Sequence, residues 1–211
     1  MSNEFSRVIQ EAIAALAKPG NNEELAYLAV TSKPELPFRD RLAYELHKTM
    51  KDTHLVAREW CREESHNRAD IAILSKPDTT LKAVIELKAW SLFAIEKHKS
   101  DVGEQLKSAA QTWVSVKRLR PQLYWLLVAT RLESWQDSGP AGQLDAVVKY
   151  ADGWRDAFAK YRSADAIYQT ARHTLESCVT GWDMRAERQV PGGRVFGLDV
   201  SLDVWLLEHR D

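Results

Sequence analysis

The segment from Asn67 to Trp90 constrains this chain more than any other, because two apolar runs in it are interrupted by charge. Asp70 opens the first run (Ile71, Ala72, Ile73, Leu74), and Glu86 and Lys88 break the second (Ala83, Val84, Ile85, Leu87, Ala89). Both runs have strand length and strand composition, and the short polar stretch between them reads as a turn. Side chains alternate along a strand, so Glu86 and Lys88 share one face while Ile85 and Leu87 share the other. Acids and a lysine within buried strands are costly to desolvate unless they serve one another or a metal. A cross-strand ion-pair cluster on an open face is the alternative. Apolar neighbours on the same faces (Ala72, Leu74, Val84) argue against an open face and for a site.

Around this segment the pattern alternates between helix and strand. Phe5, Val8, Ile9, Ala12, Ile13 and Leu16 recur at helical spacing until Pro19-Gly20, and a further short helical piece covers Leu25 to Val30. A helix is predicted from Pro37 to about Asp52, with Phe38, Leu42, Leu46 and Thr49 on one face, followed by a strand from His54 to Arg62. A helix over 101–119 carries a stripe of Val102, Leu106, Ala109, Trp113 and Val116. Gln122 to Leu132 is nearly all apolar, as expected of a strand buried on both faces. Beyond a Ser-Gly-Pro-Ala-Gly loop at 138–142, two helices are expected over 143–161 and 164–178, then a hairpin turning at Pro191-Gly192-Gly193. In the last strand Asp199, Ser201 and Asp203 read as the solvated face. The reading divides the chain into an N-terminal helical segment (1–36), an α/β core with a mixed sheet (37–135) and a helical and hairpin extension (136–211) packed on that core.

Asp70, Glu86 and Lys88 on successive strands, within a helix–strand–strand–strand–helix–strand order, resemble the PD-(D/E)XK nuclease superfamily, whose fold is restriction-endonuclease-like. Ala69 stands where the proline that names the motif would be. The resemblance implies a deoxyribonuclease of bacterial or phage restriction, defence or repair that uses Mg²⁺, with Mn²⁺ able to substitute. Asp70 and Glu86 would hold the metal, with the Leu87 carbonyl as a third oxygen ligand, and Lys88 would orient water and stabilise charge on the phosphate. Mg²⁺ favours hard oxygen ligands and keeps several waters, so this donor set suits it. Superfamily members often place a glutamate on the first core helix at the metal, which makes Glu45 a candidate. The alternative for Glu45 is a helix-flank acid that reaches solvent or pairs with Arg41. Gln105 resembles a glutamine that exonuclease-like members place near the metal, although their tyrosine four residues on is Ala109 here. A catalytically inactive binding or assembly module of the same fold is the second reading.

Composition excludes some classes. No apolar run reaches the ~20 residues of a membrane span and no signal-peptide pattern opens the chain, so a cytoplasmic protein is expected. Cys61 and Cys178 imply no disulfide framework, and neither they nor His66 and His173 show zinc-site spacing. A net charge of −1 leaves any DNA-binding surface to a local patch such as Lys97, His98, Lys99, Lys107, Lys117, Arg118 and Arg120. Neither a glycine-rich phosphate loop nor a nucleophile elbow is present. Most of the tryptophans lie on apolar stripes or in strands, as core residues do; Trp90 and Trp135, near strand ends, remain open to other roles. The amphipathic extension is a candidate surface for a homodimer or a partner subunit.

Overall fold

A computed structural model describes residues 3–18, 22–61, 67–114, 121–135 and 143–210. Its described elements run α1 (Asn3–Leu16), α2 (Glu23–Thr31), α3 (Glu35–Met50), β1 (His54–Cys61), β2 (Arg68–Ser75), β3 (Leu81–Ser91), α4 (Ala94–Lys97), α5 (Lys99–Val114), β4 (Gln122–Leu132), α6 (Gln143–Val147), α7 (Ala151–Tyr161), α8 (Ala164–Cys178), β5 (Trp182–Val195) and β6 (Leu198–His209). The strands form one six-stranded mixed sheet in the order β1-β2-β3-β4-β6-β5. Strands β1, β2 and β3 are an antiparallel meander, β4 joins β3 in parallel after α5, and the β5–β6 hairpin closes antiparallel on β4.

Helices cover both faces of this sheet, so its central strands are apolar on both sides. Register places Glu86, Trp125 and Leu207 side by side on one face, where Tyr168 of α8 stacks on Trp205. On the other face Thr130 donates to the Ala29 carbonyl of α2. Strands β4 and β6 are buried almost end to end, and the core is continuous from Ile9 and Ile13 of α1 through the sheet to Trp154 and Ile167 beyond it. The apolar stripes of α7 and α8 turn onto this core.

Several elements differ from the sequence reading. Helix α3 starts at Glu35, before Pro37, because proline is tolerated in a first turn whose N–H groups have no helical acceptor. Its buried stripe ends on Met50, while Thr49 is exposed. The helix expected over 143–161 is broken at Tyr150, whose φ of 63° is left-handed. The hairpin turns at Phe196-Gly197, with φ of 54° and 80°, the two-residue geometry that follows strand twist. Pro191 and Gly193 instead mark an irregularity inside β5. Asp203 and Ser201 are buried, since β6 is an interior strand with helices over both faces; only Asp199 keeps the expected exposure. The 138–142 loop, Arg62, His66 and residues 115–120, including Val116, Lys117, Arg118 and Arg120, lie outside the described residues.

Gly192 seats β5 against α2. A Cβ there would lie 2.9 Å from the Val200 carbonyl oxygen and 3.1 Å from the Ala26 Cβ. Gly192→Ala should therefore destabilise the fold by about 1–3 kcal/mol, read as a lower urea midpoint at unchanged slope.

Candidate active site

The β2–β3 ladder ends at the pair Ile71↔Ile85. Continued by one step, it puts Asp70 directly opposite Glu86, and opposed residues in an antiparallel pair project from the same face. Beyond that step β2 stays on β1, with Ala69 and Arg68 opposite Trp60 and Cys61, while β3 stays on β4 as far as Ser91↔Thr130. The edge of β3 facing β2 is thereby left without a strand.

Two carboxylates take over that edge. Leu87 N–H donates to Asp70 Oδ2 at 2.7 Å, and Ala89 N–H donates to Glu35 Oε2 at 3.2 Å. An interior backbone N–H left without an acceptor is expensive, so each acid substitutes for a missing strand carbonyl. The N–H and C=O of one strand residue point to the same edge. The Leu87 carbonyl therefore opens toward this gap beside Asp70.

Glu86 is held from the other side. The indole N–H of Trp113 on α5 donates to Glu86 Oε1 at 2.7 Å. Burial, and next the charge of Asp70, push the Glu86 carboxyl up to about 7 despite that hydrogen bond and Lys88. Lys88, on the same strand face, lies 3.8 Å from Glu35 Oε1. Gln105 faces the same pocket from α5, and its side-chain oxygen is buried without a hydrogen-bond partner among the described residues. Glu86, Lys88, Gln105, Trp113 and Arg68 line a pocket of about 200 Å³.

Of the residues singled out in the sequence, Asp70, Glu86, Leu87, Lys88 and Gln105 thus come together at the opened edge of β3. Glu45 does not join them. It lies ten residues further along α3 than Glu35, about 15 Å at helical rise, and pairs with Lys48 at 2.6 Å. Arg41, its other expected partner, binds Glu24. Glu35 stands in the place expected of Glu45. The sequence reading missed it by starting the helix after Pro37, although an acid in a first turn behind Pro34 is a helix-start signal. Trp113, read as a core residue, is both buried and the donor to Glu86. Among the described residues no group of three or more His, Cys, Asp or Glu side chains is arranged to hold a metal ion. The oxygens that face the gap are two carboxylates, Asp70 and Glu35, and the Leu87 carbonyl.

Searches against known protein families, curated proteins and solved structures find no match to this chain.

The raised Glu86 carboxyl has a measurable consequence. Between its ordinary value of 4.5 and about 7, the folded chain keeps a proton that the unfolded chain has released, so stability falls as pH rises through this window. Buried Asp203 is likewise raised to about 7 and adds to the slope. Glu86→Gln can keep the Trp113 hydrogen bond and donate to Asp70. In EDTA it should be more stable than wild type at pH 8 by about 1–3 kcal/mol, and the gain should vanish at pH 4. Urea unfolding at the two pH values reads this difference.

Proposed function

We propose that this chain is a metal-dependent nuclease of the restriction-endonuclease-like fold, hydrolysing DNA phosphodiester bonds at the opened edge of β3. The observation that carries the reading is the placement of Asp70 opposite Glu86 one step past the end of the β2–β3 ladder, where burial first and the charge of Asp70 second keep Glu86 from ionising. Two neighbouring carboxylates that repel one another call for a cation between them. The available donors (two carboxylates and the Leu87 carbonyl) are all hard oxygens, which fits Mg²⁺ or Mn²⁺ and not zinc. From α3 to β4 the order is a helix, three strands, the helices α4 and α5, and a strand, which is compatible with the helix–strand–strand–strand–helix–strand order of the proposed fold family.

Asp70, Glu86 and the Leu87 carbonyl would hold the ion, with Gln105 facing the same pocket. When bound, it supplies charge neutralisation at the phosphate and an acidified water. The residues divide the remaining work. Asp70 is held in place by the Leu87 N–H, and Glu86 by the Trp113 indole, so both acids are oriented before substrate arrives. Such preorganisation is what lets fixed charges act on a transition state. Lys88 projects from the Glu86 face and is steered by Glu35, where it can orient the attacking water and stabilise charge on a non-bridging phosphate oxygen. Glu35 is a positioning residue, tied to the Ala89 N–H.

Wild-type protein incubated with supercoiled, linear and single-stranded DNA should cleave at least one of them in Mg²⁺ and none in EDTA. Lys88→Ala should abolish cleavage while leaving the melting temperature close to wild type, because its ion pair is partly exposed. Absence of cleavage in every wild-type reaction would favour a binding module of the same fold.

Binding of the ion should also be visible without catalysis. A ligand that binds only the folded state stabilises it by about 2.7 kcal/mol at 100 times its dissociation constant. Mg²⁺ or Mn²⁺ should raise the melting temperature, more at pH 8 than at pH 6 because Glu86 must release its proton. Asp70→Asn should lose most of the rise; an equal rise in wild type and variant would remove Asp70 from the ligand set.

A further inference from the structure

A larger cleft of about 750 Å³ adjoins the site, and Gln105 belongs to the wall of both. Strand β3 runs from one into the other. Trp90 follows Lys88 on the same strand face, about 7 Å further along, and lines the larger cleft. Trp90 is only partly buried. The His98 ring lies near-parallel to it, with 16° between planes and 6.3 Å between centroids, and Phe93 and Tyr150 add further aromatic wall.

The charges of this cleft are sorted. Its acids are already engaged: Asp101 by His98 at 2.7 Å, and Asp145 and Asp152 by Arg155 at 2.5 and 2.6 Å. Lys33 and Lys97, both exposed on its wall, have no ion-pair partner among the described residues. Aromatic surface beside uncommitted cations is the chemistry that binds unpaired nucleotides, whose bases stack while their phosphates take the positive charge. The volume falls in the range that encloses a molecule of drug size. It admits one or two nucleotides and is far too small for a double helix.

We propose that this cleft seats unpaired nucleotides adjoining the phosphate held at Asp70 and Glu86, with a base on Trp90 and the backbone between Lys33 and Lys97. The substrate is then single-stranded DNA or a frayed end, not a closed duplex. This deepens the nuclease reading above and rests on it for the placement of the phosphate.

The test separates binding from cleavage. Fluorescence anisotropy in EDTA compares fluorescein-labelled oligothymidine with a labelled duplex closed by a loop at each end. Wild type should prefer the single strand. Trp90→Ala should weaken that binding about tenfold, as expected for the loss of one base–aromatic stack, and Trp90→Phe should weaken it less. Because Trp90 also packs near Trp125, a second variant carries the test if Trp90→Ala fails to fold. In that variant Lys33→Ala and Lys97→Ala are combined at exposed positions, and it should lose affinity and show a shallower salt dependence. Equal affinity of wild type for the two DNAs, or unchanged single-strand binding by the folded variants, overturns the proposal. Cleavage in Mg²⁺ is scored separately on the same DNAs. If wild type cleaves and these binding differences are missing, only the cleft assignment falls. If the differences appear without cleavage, the cleft's ligand stands and the nuclease reading falls.

Discussion

The splay of β2 away from β3 after the pair Ile71↔Ile85 is the constraint on which the site depends. Had the ladder continued, strand carbonyls would have taken the N–H groups of Leu87 and Ala89, and the edge of β3 would be closed. Because it stops, Asp70 and Glu35 take those N–H groups with their side chains. The same two hydrogen bonds that keep the interior polar groups satisfied also fix two carboxylates at the gap. Structural necessity and the candidate chemistry are therefore carried by the same atoms.

Burial accounts for the electrostatics. Strand β3 is interior to the sheet, with β2 and β4 as neighbours and α5 over the face that carries Glu86, so Glu86 loses water and its carboxyl is raised. Lys88 is steered to Glu35, and the neutral Trp113 indole donates to Glu86. Leaving a buried acid incompletely paired is costly, yet here Lys88 and Trp113 offset the burial of Glu86 only in part. Strain of this kind in an otherwise consistent fold is the pattern expected at a functional site.

The C-terminal third completes the sheet. Strand β6 pairs along nearly all of β4, which buries both and converts a four-stranded meander-plus-crossover into a six-stranded sheet. Helix α7 meanwhile brings Asp152 and Gly153 to the wall of the larger cleft. The Cβ of any other residue at 153 would lie 2.4 Å from the Phe93 ring, so glycine there lets α7 approach that wall closely.

The sequence by itself determined β1 to β4 and which face of β3 carries charge, since alternation along a strand is a local property. Gln122 to Leu132 was legible residue for residue, because a strand buried on both faces leaves an unbroken apolar run. Asp70, Glu86 and Lys88 were legible because charge is conspicuous in such runs. Tertiary structure decided the rest. Glu45 and Glu35 are both acids on one helix, and only the packing of α3 against β3 selects the one that reaches the site. Asp203 alternates like a solvated residue, and only the placement of β6 inside the sheet buries it. The gap between β2 and β3, and the cleft that opens beside Trp90, arise where strands and helices part company. That divergence depends on long-range contacts, which no local pattern of residues encodes.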